Sequence, residues 1–235
     1  MMKNYLIPIL MTFLAACAST GAPSPSVEEQ LETTGNYSGL AEHLRGQLAS
    51  HPNDPVLLLK LAQAYYQSND LESAQFYLSH LETLGHQSPQ QSLLAGKAAA
   101  DQGEFARALE HYAKAQLQGL SSSELALRQG VAHSQLGQYE AATNAFNTAR
   151  LRGHDELAVK NNLAMVQMAQ GHYHQASQLL EGLYRRHPDN EQVQANLALA
   201  WAKGGELEKA HKLLSRIYPD QPVSRVLRQL QALTP

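Results

Sequence analysis

An all-α superhelical solenoid of antiparallel helix hairpins is the fold class this sequence predicts, on three observations. Large apolar residues recur every thirty-four positions, at Tyr37, Leu71, Phe105, Tyr139, Tyr173 and Leu207. Two residues ahead of them stand Gly35, Asn69, Gly103, Gly137, Gly171 and Gly205, types that tolerate a left-handed backbone at a helix end. Leu40, Ala74, Ala108, Ala142, Ala176 and Ala210 keep the same period. Three registers that agree over six periods define a tandem repeat.

One period reads as two helices. Leu157 to Gln170 forms the first, Gly171 turns the chain, and the second runs from about His172 to Arg185, with Tyr173, Leu180 and Leu183 at helical spacing. Ala176 sits where the helices cross, and its small side chain lets them approach closely. One hairpin cannot bury both of its faces, so neighbouring hairpins must stack and complete a continuous core.

Taken in order, the chain begins with a basic Lys3 and an apolar stretch from Tyr5 to Ala16. That layout predicts an export signal over 1–16, too short for a membrane span of about 20 apolar residues. Residues 17–26 hold small residues and prolines without apolar periodicity, which predicts a tether. A short helix from Val27 to Thr34 and a second from Tyr37 to Ser50 make a degenerate first repeat over 27–54. It carries Leu40 where other repeats have Ala, and Gln47 at a usually apolar position.

Five regular repeats over 55–224 follow. Their helix starts are signalled by Asp54-Pro55, Ser88-Pro89 with Gln91, Ser121 to Glu124, Asp155 and Asn190. Beyond Pro222, the residues Val223, Val226, Leu227, Leu230 and Leu233 share one helical face and predict a helix that caps the last repeat, ending over 225–235.

With Leu61-Ala62, Leu163-Ala164 and Leu197-Ala198, Gly96 and Gly130, Tyr65 and Trp201, and Pro52, Pro188 and Pro222 at its repeat positions, the sequence resembles the tetratricopeptide repeat family. The resemblance implies a superhelical solenoid that binds protein partners. Leu14-Ala15-Ala16-Cys17 likewise resembles the lipobox of bacterial lipoproteins, in which cleavage leaves an acylated N-terminal cysteine. Cys17 is the only cysteine in the chain, so no intrachain disulfide can form. In that family an Asp after the cysteine commonly retains the protein at the inner membrane. Ala18 stands there instead, which implies the periplasmic face of the outer membrane, with several acyl chains as the anchor.

Composition narrows the function. With 43% hydrophobic and 17% charged residues the chain can bury a long core, and 6% aromatic residues suit small-residue helix packing. The net charge of −3 conceals a gradient. Five lysines and arginines stand against twelve acids over 17–124, and twelve against nine over 125–235. That density falls well short of nucleic-acid binding. No nucleophile elbow, phosphate loop or paired-histidine zinc helix is present, and the eleven histidines are scattered. The reading is therefore non-enzymatic, with no cofactor, metal or small-molecule substrate implied.

The family resemblance implies that inner helices line a concave groove. Carried onto this chain, its ligand-facing positions hold Leu59, Lys60, Gln63 and Tyr66; Leu93 and Lys97; Leu127, Arg128 and Val131; Asn161, Asn162, Met165 and Met168; and Asn196 and Leu199. Asn162 and Asn196, one period apart, imply an asparagine ladder for an extended peptide. Met165, Met168 and Leu199 imply an adaptable apolar surface. Lys60, Lys97 and Arg128 do not reproduce the carboxylate clamp of chaperone-binding relatives.

The lipobox, the strict repeat and Asn161-Asn162-Leu163-Ala164 followed by Asn196-Leu197-Ala198-Leu199-Ala200 resemble the TadD-type lipoproteins of the tight-adherence (Flp) pilus system. That implies a role in secretin assembly or stability. Two alternatives use the same groove: a type IV pilus pilotin-like lipoprotein, and an envelope regulator that docks cell-wall enzymes or the β-barrel assembly machine.

Overall fold

The computed structural model describes residues 25–220 and 222–232. The leader, Cys17, most of the tether and Leu233 lie outside the described residues. Thirteen helices and no strand make up the described chain. They are α1 (Val27–Thr33), α2 (Tyr37–Leu48), α3 (Pro55–Gln67), α4 (Leu71–Thr83), α5 (Pro89–Asp101), α6 (Phe105–Leu117), α7 (Ser123–Gln135), α8 (Tyr139–Leu151), α9 (Glu156–Ala169), α10 (Tyr173–Arg186), α11 (Glu191–Lys203), α12 (Leu207–Ile217) and α13 (Val223–Ala232).

The hairpin turns follow from one local rule. Gly35, Gly103, Gly137, Gly171 and Gly205 all have φ between 68° and 83°, and Asn69 has φ of 63°. These are the left-handed positions at which a helix ends without a Cβ penalty, Asn being the side chain that tolerates it best. Capping residues fix the starts. Asp54 accepts from Val56 N at 2.8 Å, Asp155 from Ala158 N at 2.8 Å and Asn190 from Val193 N at 2.9 Å. For α7 the cap is Ser122, which accepts from Leu125 N at 3.1 Å, and not Ser121. Glu124 is therefore not the third residue of a capping box, and its carboxylate pairs with Lys97 and Arg128.

Each helix packs on its neighbours in sequence, and α3, α5, α7, α9 and α11 also touch one another in series. Their even-numbered partners do not, so the odd helices crowd the inner side of the curve and the even ones splay on the outer side. The crossings are built from alanines: Ala74, Ala108, Ala142, Ala176 and Ala210 are fully buried. Leu61, Leu125, Leu180, Leu183 and Leu197 fill the spaces between hairpins.

Both ends depart from the regular repeat. At the front, α1 reaches α2 but makes no close backbone approach to α3; Leu31 packs against the cluster of Leu40, Leu44 and Leu61, and the polar link to α3 is Glu28. Its carboxylate accepts from Lys60 Nζ at 2.6 Å and from Gln47 Nε2 at 3.0 Å, which explains the polar Gln47. At the back, His187 and Tyr218 share a backbone conformation, with φ/ψ of −132°/65° and −124°/67°. Pro219 therefore occupies the place of Pro188, and the last hairpin is three residues short of the period. Pro222, the repeat-end proline expected from the sequence, instead leads into α13. There Val223 and Leu227 are buried, and Val226 and Leu230 pack against the cluster around Leu197, Trp201 and Leu214.

Candidate partner-binding face

The inner helices present three successive environments. The first is a groove of about 600 Å³ along α3, between the end of α1 and the start of α5. Pro55, Val56 and Leu59 line it with Tyr37 and Leu40, and Lys60, Gln63 and Gln67 stand among them. Of the residues that the sequence assigns to partner contact, Leu59 lies here. Lys60 does too, already paired with Glu28.

The second is a charged bridge across α3, α5 and α7. Tyr66 Oη donates to Asp101 Oδ2 at 2.6 Å, and Lys97 Nζ stands 5.2 Å from the centre of the Tyr66 ring. Lys97 also donates to Glu124 Oε1 at 3.1 Å, and Arg128 Nε approaches the same oxygen at 3.6 Å. Burial, and then the hydrogen bond to the Asp101 carboxylate, push the Tyr66 phenol up to about 12. Three residues assigned separately to partner contact, Tyr66, Lys97 and Arg128, thus form one network that links three repeats. Their partners Asp101 and Glu124 are not among the residues the sequence assigns; the four-residue spacing of Glu124 and Arg128 is a local signal for that pair, whereas nothing local marks Tyr66 with Asp101, thirty-five residues apart, or Lys97 with Glu124, twenty-seven apart.

The third environment lies on α9 and α11, and it differs from the expected ladder. Asn196 Nδ2 donates to Asn161 Oδ1 at 2.9 Å, and Asn161 is buried. Asn162 donates to the carbonyl of Ala158, four residues back in its own helix, at 2.8 Å. The inter-repeat pair is Asn161 with Asn196, because the stagger between stacked helices brings residues thirty-five apart into register. Met165 is exposed, whereas Met168 is 4% exposed and packs with Ala164 and Leu197. Met168 is therefore a core residue and does not reach the groove. Leu93, Leu127, Val131 and Leu199 are half-buried and pack against the inter-hairpin clusters, each leaving only an edge on the inner face.

Among the described residues no three histidine, cysteine or acidic side chains stand close enough to hold a metal ion. None of the described helices is long and apolar enough to cross a membrane.

Comparison with known proteins agrees with this architecture. Two tetratricopeptide repeat models match the chain, one over residues 34–97 and 167–233 and the other over 93–156. No curated protein matches the sequence. Among solved structures, PilW, a widely conserved type IV pilus biogenesis factor, superposes with a TM-score of 0.74 at 13% identity, covering 86% of this chain and 94% of its own. A tetratricopeptide repeat protein from Parabacteroides merdae gives 0.71 at 17% identity, covering 87% and 82%. YrrB, a repeat protein with an unusual peptide-binding site, gives 0.62 at 18% identity, covering 80% and 99%. At these identities the likeness is one of fold.

Proposed function

The chain belongs to the tetratricopeptide repeat family, and from that premise we propose that it is an interaction scaffold anchored through Cys17 at the periplasmic face of the outer membrane. There it assists assembly or secretin stability of a tight-adherence (Flp) pilus machine. The observation that carries the scaffold reading is the unbroken series of inner helices α3, α5, α7, α9 and α11, which offers one long concave face with apolar, charged and amide sections. Such a face reads an extended or helical segment of another protein by side-chain pockets in series. The export leader and the sole cysteine at the lipobox position support the anchor. The TadD-type resemblance in the Asn-Leu-Ala segments supports the pilus assignment.

A second reading, a pilotin-like lipoprotein of a type IV pilus, is favoured by the extent of the likeness to PilW, which covers 94% of that chain. Mass spectrometry of proteins that co-purify with the lipidated chain from detergent-solubilised outer membranes separates the two, with Cys17→Ser as control. A tight-adherence secretin lost in the control is the expected result. Type IV pilus components would favour the second reading, and cell-wall enzymes or β-barrel assembly proteins would overturn both.

A further inference from the structure

Leu117 and Leu151 are 90% and 82% exposed, the two most exposed large apolar side chains among the described residues. They stand one repeat apart at the C-terminal ends of α6 and α8, on the edge where each outer helix hands over to the next inner one. Neither packs against a core cluster, so the fold itself gives no reason for leucine at these sites. Leu84, 36% exposed, holds the neighbouring position at the end of α4 on the same edge.

The charges around this row are unevenly matched. Arg150 and Arg152 flank Leu151, and Arg185 stands at the equivalent place one repeat on. None of the three forms an ion pair with a carboxylate among the described residues: Arg150 donates to Asn147 Oδ1 and Arg152 to the Ser122 carbonyl. The acids on this stretch of edge are mostly engaged. Glu82 pairs with Lys114, Glu156 with Lys160 and Arg186, and Asp155 caps α9, while Asp189 and Glu191, just beyond Arg185, pair with no cation among the described residues.

The start of the solenoid lies on this edge as well. α1 packs antiparallel on α2, so Ser26 and the entry of the chain from residue 25 sit at the end where outer helices finish. Exposed leucines set among arginines, on the edge from which the N-terminal segment departs, form an amphipathic surface suited to the headgroup region of a bilayer.

We propose that this edge is a peripheral membrane-contact surface: Leu117 and Leu151 enter the interface of an anionic phospholipid bilayer, and Arg150, Arg152 and Arg185 lie against its headgroups. The inference rests on the anchored reading above, because two leucines and three arginines bind weakly alone and act when the chain is already held at the membrane. Contact along this edge sets the solenoid with its helix axes steep to the bilayer and leaves the concave face open to a partner.

The test places a nitrobenzoxadiazole label at a single cysteine in the full chain carrying Cys17→Ser, held on the vesicles by an N-terminal hexahistidine tag and a nickel-chelating lipid in place of the acyl anchor, using Leu117→Cys, Leu151→Cys and, on the opposite edge, Gln138→Cys. Every variant keeps the same N-terminal segment, so differences between labels report orientation and not attachment. With phosphatidylglycerol vesicles, the labels at 117 and 151 are expected to shift to the blue and brighten about twofold, and that at 138 to stay unchanged. No response at 117 and 151, an equal response at 138, or an equal response on neutral phosphatidylcholine vesicles would overturn the proposal. A shift that grows with protein concentration without vesicles would assign the leucines to an interface between copies, and overturn it too. The Cys17→Ser background leaves the lipid anchor out of this result; recovery of the unsubstituted chain from washed membranes tests the anchor separately.

Discussion

Tyr112 fills the space that a side chain on Gly96 would need: a Cβ built on Gly96 falls 2.4 Å from Tyr112 Cε1. Gly130 and Phe146 stand in the same relation one repeat later, at 2.6 Å. In the other repeats the corresponding residues are Ala62 with Leu78, Ala164 with Leu180 and Ala198 with Leu214, all buried. A larger outer-helix residue is matched by a smaller inner-helix one, so the volume at each hairpin crossing is conserved while its shape changes.

Gly96→Ala should therefore destabilise the fold by about 1–3 kcal/mol, because the ring meets a new methyl group in a closed site. Combining it with Tyr112→Leu should recover most of that loss, since the pair then matches Ala164 and Leu180. Urea unfolding of the two single variants and the double variant checks this; additive losses would show that the two sites do not share one volume.

Tyr112 supports a second expectation. Its hydroxyl is buried without a protein hydrogen-bond partner, and burial pushes its ionisation well above the ordinary phenol range. Tyr112→Phe keeps the ring and removes the unpaired group, so stability should stay level or rise by up to about 1 kcal/mol. A fall of more than that in urea unfolding would mean that the hydroxyl contributes a bond.

Glu28 makes the docking of α1 sensitive to acid. Its carboxylate is held below the ordinary value of 4.5, first by the hydrogen bond from Lys60 and then by that from Gln47. A carboxylate with a depressed folded pKa contributes stability above its unfolded pKa and loses it as pH falls through the folded value. Below about pH 4.5 the segment Val27–Thr33 should thus loosen while the remaining repeats hold. The pair is partly exposed, so its loss amounts to no more than about 1 kcal/mol. Hydrogen exchange at pH 3.5 and pH 6 should differ in α1 for the unsubstituted chain and not for Glu28→Gln.

What was legible in the sequence was what depends on one residue and its neighbours. A left-handed turn is decided locally, so Gly35, Asn69 and Gly103 announced the hairpins, and alanines at a fixed period announced the crossings. The inner face was less legible. Met165 and Met168 differ by three residues, and an inner helix packed on three sides leaves a narrow exposed strip; one of them falls inside it and the other outside. The short last hairpin was hidden because Pro222 happens to lie one full period beyond Pro188, while Pro219 does the structural work. Pairs such as Tyr66 with Asp101 depend on how far one repeat is shifted against the next, which no local pattern records.

That Tyr66–Asp101 pair gives a titration. The phenol is raised to about 12, so between its ordinary value of 10.0 and 12 the folded state keeps a proton that the unfolded state has lost. Stability from this group is full below pH 10 and declines as pH rises through that window. Asp101→Asn should bring the Tyr66 midpoint down toward 10, measured as tyrosinate absorbance at high pH against a Tyr66→Phe control. An unchanged midpoint would mean that burial alone sets it.

The amides on α9 and α11 give the last prediction, one that affects how partner binding is tested. Asn196 bonds to the buried Asn161, so Asn196→Ala leaves an unpaired carbonyl in the core and should cost about 1–3 kcal/mol. Asn162 bonds only to its own helix backbone, and Asn162→Ala should change stability by less than about 0.5 kcal/mol. A joint substitution would thus confound weakened binding with weakened folding. The informative experiment measures urea unfolding of each single variant first, then partner affinity of Asn162→Ala alone. If Asn196→Ala unfolds like the unsubstituted chain, the inter-repeat amide bond carries no weight and both asparagines are free for a ligand. If it unfolds earlier as expected, the amide available to a partner on this face is that of Asn162.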